Sequence, residues 1–197
     1  MGRFKVGLVA AALALPLAAP PAAAVAGQEA FAVWVRPEGK KLVAYFAVAE
    51  RYVDPTGGGL VTAAGVAKGT CQRSGGRGFR MTLCSARGRV KEIPFEDFVV
   101  DPALGSATMT VTMAGRTHTV EWTAADRAPS AGAGVEAGPG GVGAGAGMGR
   151  YTRAEGKVFG ARLTRRDLEF AVLSQSAGAG VGLPVRDDGT WTFSFRL

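Results

Sequence analysis

The side chains of this 197-residue chain that could carry out chemistry are few and far apart. There is one histidine, His118, and there are two cysteines, Cys71 and Cys84. A zinc centre needs three or four nitrogen, sulfur or carboxylate ligands, and no such cluster stands at ligand spacing beside His118. Its neighbours Arg116 and Val120 place it on the apolar side of a strand, which reads as a packed histidine. Nucleophilic catalysis needs a serine or cysteine beside a base, together with donors for the oxyanion. The chain lacks G-x-S-x-G, and Ser74, in Arg73-Ser74-Gly75, has the setting of a turn residue. Paired carboxylates can do acid and base work, as in glycoside hydrolysis. Glu92, Glu96, Asp97, Glu121 and Glu169 are the candidates, and a hydrolase would need two of them facing each other across a cleft. Acidic turns at 54–59 and 187–189 lack the spaced oxygen ligands of an EF-hand loop, and Asp, Pro and Gly are what turns require. No catalytic, metal-ligating or cofactor-binding residue follows, and no cofactor is expected.

The cysteines and the basic residues say more. In an oxidising compartment an even pair this close in sequence is a disulfide. Phe79, Met81 and Leu83 alternate as an apolar face while Cys84 shares parity with Arg80 and Thr82, so the bridge is expected on the wetter face of a hairpin. Arg73, Arg77, Arg80, Arg87, Arg89 and Lys91 crowd one short region, and Arg162, Arg165 and Arg166 form a second group. A patch for an anionic partner would draw on Arg77, Arg80, Arg87, Arg89 and Lys91. Phe79 alone among aromatic residues is interleaved with them, which disfavours nucleic acid. The disulfide-closed, arginine-bearing loop also has the form of a protease-inhibitor loop.

What must position these residues begins with an export signal. Arg3 and Lys5 precede an apolar run, and Ala24-Val25-Ala26 supplies an A-x-A site, so 1–26 reads as a signal peptide cut after Ala26. The run is too short to span a bilayer, and no later stretch is apolar enough to do so. Removal of two of the 23 basic and none of the 16 acidic residues leaves 21 against 16, a net charge of +5. That balance suits loose association with anionic surfaces and falls short of a dedicated nucleic-acid binder. The mature 27–197 has the length of one β domain with a real core, or of two small units split at a linker.

Period-two patterning runs through the chain. Met109, Val111 and Met113 alternate with threonines, Ala114-Gly115 intervenes, and His118, Val120 and Trp122 alternate in turn. These are two half-buried strands joined by a two-residue turn, with Met113 facing Arg116, Val111 facing His118 and Met109 facing Val120. The opposite face is mostly threonine; such rows could order water or ice, although Thr is common on strands for its branched shape alone. Strands are also expected at 29–35 and 41–52, the second apolar on both sides and therefore central. Others are expected at 60–68, 79–85, 157–163, 168–173 and 190–197. Arg87, Arg89 and Lys91 suit an exposed edge strand. The run 129–149, mostly Gly and Ala, reads as a flexible loop. The last segment, with Trp191, Phe193, Phe195 and Leu197 alternating, is expected to pack on the core.

Cys71, Cys84, the hairpin ending in Val120-Glu121-Trp122-Thr123, the glycine-rich interval and Arg153-Ala154-Glu155-Gly156-Lys157-Val158 together resemble secreted β-rich proteins of unknown function from high-GC Gram-positive bacteria. The resemblance implies a single β-rich domain and transfers no catalytic residue. The expectation is an all-β, antiparallel sandwich or open barrel, exported to the cell exterior and clasped by one disulfide. Its expected role is a non-enzymatic binding or structural module for an anionic cell-wall polymer or a protein. A carboxylate-dependent hydrolase and a protease inhibitor are the alternatives.

Overall fold

A computed structural model describes residues 27–54, 59–74, 81–125, 130–138, 141–177 and 190–196. The signal segment, the loop tip with Arg77 and Arg80, and the acidic turn at 187–189 lie outside them. The strands are β1 (Gly27–Glu38), β2 (Lys41–Asp54), β3 (Gly59–Ser74), β4 (Met81–Glu92), β5 (Phe98–Val100), β6 (Ser106–Met113), β7 (Arg116–Ala124), β8 (Ser130–Gly138), β9 (Gly141–Val158), β10 (Ala161–Leu163), β11 (Leu168–Ala177) and β12 (Thr190–Arg196). The fold is all-β and antiparallel. Strands run in the order β12-β4-β3-β2-β1-β11-β9-β7-β6-β5, with β8 and β10 also on β9, and the sheet does not close.

β9 is the hinge of this architecture. Residues 146–151 pair with β11, and 152–157 pair with β7, so one long strand passes from the first layer into the second. Between the layers lies the main core. Ala30, Ala32, Trp34, Val43, Tyr45, Ala47, Ala49, Ala64 and Val66 meet Phe98, Leu104, Met109, Val111, Val120, Trp122, Val158 and Leu163. Two tryptophans lace the layers. The indole N–H of Trp34 donates to the Ala154 carbonyl at 3.0 Å, and that of Trp122 donates to the Phe31 carbonyl at 3.0 Å. Each thereby satisfies its polar atom while burying a large apolar surface.

β2 is central, flanked by β1 and β3, and its two faces enter two cores. Val43, Tyr45, Ala47 and Ala49 belong to the main core. Ala44, Phe46 and Val48 join Phe31, Val33, Val35, Ala67, Cys84 and Ala86 on the other side. There the sheet folds sharply between β3 and β4: a Cβ on Gly69 would collide with the Ser85 carbonyl, and one on Gly65 would approach the Arg89 carbonyl to 2.5 Å. Only glycine allows β4 to rise so closely over that face.

This curl overturns the expected setting of the disulfide. Cys71 and Cys84 are bonded and stand directly opposite in register. Cys84 is 0% exposed among Phe31, Phe46 and Ala86, whereas Leu83, read as part of the strand's apolar face, is 40% exposed. Parity within β4 was legible, but its small members, Ala86 and Gly88, mark the inner side because the curl needs them there. On the chain-entropy account, a bridge across 13 residues stabilises the fold by roughly 3 kcal/mol.

Three other expectations are corrected. The 129–149 run is no loop over most of its length: β8 and the first half of β9 pair from Ser130↔Gly149 to Gly138↔Gly141. Small residues carry no periodic signal, yet nothing in them forbids extended backbone when a partner strand is present. β4 is not an edge, because β12 pairs with it from Arg196↔Leu83 to Thr190↔Arg89. That pairing, with β1 on β11, ties the end of the chain to its beginning within one sheet. Finally, 157–163 is not one strand but a hairpin, β9 and β10, turned at Phe159-Gly160 with φ of 49° and 79°.

The β6–β7 hairpin has the expected register, Met113↔Arg116, Val111↔His118 and Met109↔Val120. Its turn residues Ala114 and Gly115 both have positive φ, 49° and 71°, as the twist of a two-residue hairpin demands. Arg51 pins the crossing between layers. Its guanidinium donates to the carbonyls of Phe95 (2.9 Å) and Phe98 and to Gln28 Oε1 (2.9 Å), and lies 3.6 Å from the Phe95 ring centroid. Burial pulls its pKa down from the usual arginine value.

Candidate functional site

Two exposed polar surfaces emerge from this scaffold. The first is on β4. Arg87, Arg89 and Lys91 alternate on one side of the strand and all are exposed. Their register partners on β3 are Lys68, Val66 and Ala64, so they continue the inner face of the first layer past the point where the second layer covers it. None of the three makes an ion pair among the described residues. Lys68, by contrast, is spoken for. Its ammonium donates to Glu38 Oε2 at 2.8 Å and sits 5.0 Å from the Tyr45 ring centroid. Tyr45 donates its hydroxyl to the other Glu38 oxygen. The hydrogen bond to Lys68, and next that from Tyr45, hold the Glu38 carboxyl below the ordinary carboxylate value. Desolvation, then the Glu38 contact, push the Tyr45 phenol up. Of the expected patch, the structure brings Arg87, Arg89 and Lys91 together, while Arg77 and Arg80 lie outside the described residues.

The second surface is the outer face of the layer β5-β6-β7-β9-β10. A depression of about 650 Å³ is lined there by Thr108, Thr110, Thr119, Glu121, Glu155, Lys157 and Arg162, among others. The register explains its composition. Glu121 stands opposite Thr108 on one side and Glu155 on the other; Thr119 stands opposite Thr110 and Lys157, and Lys157 opposite Arg162. Glu155 Oε1 is 3.0 Å from Arg165 Nε. Glu121, Lys157 and Arg162 have no ion pair among the described residues.

The remaining candidates are scattered. Glu92 closes β4, Glu96 and Asp97 form a 3-10 turn, and Glu169 lies on β11, all on the surface except the half-buried Asp97. Of the five carboxylates weighed from sequence, Glu121 alone lines the depression, and Glu155 stands beside it on one open floor. His118 is buried at 1% exposure; its Nδ1 accepts the Phe159 backbone N–H at 3.0 Å and its ring meets the Phe159 ring edge-on. Burial pushes its pKa below the ordinary histidine value. It holds a turn. Among the described residues no group of three His, Cys, Asp or Glu is placed to hold a metal ion, and no helix is long and apolar enough to cross a membrane.

Sequence reading missed Glu155 and Lys157 as neighbours of Glu121. The signal was present: Arg153, Glu155 and Lys157 alternate with Ala154, Gly156 and Val158, a period of two obscured by the small partners. No family model, curated protein or solved structure matches the chain.

Proposed function

We propose that this protein is an exported, non-enzymatic binding module that engages an anionic polymer of the cell exterior through Arg87, Arg89 and Lys91. The observation that carries the reading is their arrangement as an alternating row of exposed cations, none in an ion pair among the described residues, on a strand paired on both sides. Alternate residues of an antiparallel strand are about 6.8 Å apart, so the row extends roughly 14 Å. That length matches several charges of an extended polyanion better than one small ligand. The strand is held on both sides by β3 and β12 and clasped by the disulfide, so the charges are presented with little ordering left to lose on binding. The disulfide also supports an oxidising, extracellular setting.

The test is retention of the purified mature protein on the producing cell's wall fraction at low and raised salt. Exposed charges are screened beyond about 10 Å at 0.1 M salt, so retention should fall as salt rises. Substitution of all three residues (Arg87→Gln, Arg89→Gln, Lys91→Gln) should abolish it without changing the melting temperature. No retention at either salt, or retention indifferent to the triple substitution, overturns the reading.

A further inference from the structure

The depression on the outer face of the second layer carries a charge pattern that the fold itself does not need. Like charges directly opposite on neighbouring strands destabilise a sheet, and opposite charges stabilise it. Here both charged register rows are of one sign: Glu121↔Glu155 in one, Lys157↔Arg162 in the next. Exchanging one residue between the rows would have made favourable pairs. Arg165 relieves Glu155, whereas Glu121, Lys157 and Arg162 are left unanswered among the described residues.

From this pattern we infer a binding site for short zwitterionic peptides, with the ammonium end on Glu121 and the carboxylate end between Lys157 and Arg162. The inference is independent of the β4 row. The two charged rows are two residues apart along β9, about 6.8 Å. Glu121 on β7 lies one and a half strand spacings, about 7 Å, to the side of the midpoint between Lys157 on β9 and Arg162 on β10, so the two ends of the site are about 10 Å apart on the diagonal. An extended tripeptide spans at most about 10.6 Å from its amino nitrogen to its carboxyl carbon, the sum of one N–Cα bond, two Cα–Cα steps and one Cα–C bond. A dipeptide, at about 6.8 Å, is too short. Thr119, on β7 with Glu121 and opposite Lys157, stands between the ends as a partner for a peptide N–H or carbonyl, and Thr108 and Thr110 on β6 flank the ammonium end. Other ligand classes fit less well. A polyanion would meet the carboxylate row, a neutral glycan would leave the charges unanswered, and a second copy would oppose one hollow with another.

The experiment is a titration of the mature protein with trialanine, followed by shifts of its backbone amide signals. The comparison ligands are the N-acetylated and the C-amidated tripeptides. For a ligand this small, saturable binding with a Kd of order 1 mM is expected. Charge-assisted hydrogen bonds are the stronger kind, so blocking either end should weaken binding about tenfold. Glu121→Gln should weaken the free tripeptide and remove the penalty for N-acetylation. The double variant Lys157→Gln, Arg162→Gln should remove the penalty for C-amidation. Both change exposed side chains, and matching melting curves verify their folding. Substituting the β4 row should leave the titration unchanged. Absence of saturation at about ten times that Kd, or binding indifferent to both end blocks, overturns the assignment.

Discussion

On the first layer the main core is floored by Ala30, Ala32, Ala47, Ala49 and Ala64 around Trp34 and Tyr45, all at 0 to 1% exposure. On the second layer the facing positions are Phe98, Leu104, Met109, Val120, Leu163 and Trp122, with Ala107 and Ala154 the small exceptions. One side brings a flat floor and the other the volume. β2 is buried on both faces: Phe46 and Val48 fill the second core, while on the main-core side Ala47 and Ala49, with Ala30, Ala32 and Ala64 on the neighbouring strands, leave room for the indoles to reach across to the opposite backbone. A sandwich of this kind should fail differently on its two sides, by cavities on one and by crowding on the other.

The largest effect is expected on the side that supplies volume. Trp122→Ala removes a fully buried ring and leaves the Phe31 carbonyl without its indole donor. Large aromatic truncations of this kind cost about 3–5 kcal/mol. Urea unfolding of the variant should show it, and a loss below about 1 kcal/mol would mean the layers close over the gap instead of standing apart.

Growth on the floor should come next. Ala47→Leu adds three carbons at a position with 0% exposure, where overpacking costs about 1–3 kcal/mol. The same substitution at Ala107, 2% exposed but on the volume side, is the control that sharpens the contrast. Equal tolerance at both would show that the alanine floor follows from composition and has no bearing on the spacing of the layers.

The two hairpins at the ends of β9 show which parts of this fold were legible. In β6–β7 the buried positions are Ala107, Met109, Val111, His118, Val120 and Trp122 and they alternate with polar ones, so the strands, the register and the turn could all be read before any coordinates. In β8–β9 the residues are mostly Gly and Ala, and period two has little to act on; the two strands pair with each other from Ser130↔Gly149 to Gly138↔Gly141, and β11 adds a further partner at 146–151. Phe159 hid a turn for the opposite reason, since a bulky residue at φ 49° runs against its preference. The sites divided similarly. The alternation of Arg87, Arg89 and Lys91 was plain within one strand, whereas the rows joining Glu121 to Glu155 and Lys157 to Arg162 exist only across strands.

His118 offers the finest probe, because it joins the volume side to the turn at Phe159. Its Nδ1 accepts a backbone N–H, so it must be unprotonated there, and protonation removes that hydrogen bond. Burial, with a smaller contribution from the Arg116 charge, lowers its folded pKa from the ordinary 6.5. Above that ordinary value the imidazole is neutral in folded and unfolded chains alike, and its contribution to stability is complete. As pH falls below it, the unfolded chain takes up a proton that the folded protein refuses until a lower pH, so stability declines through that window and not above it. The loss should approach the net worth of one buried hydrogen bond, about 1 kcal/mol. Subtracting the pH profile of His118→Phe from that of the wild type removes the carboxylates common to both. A flat difference below pH 6.5 would show that the imidazole only fills space and does not hold the turn.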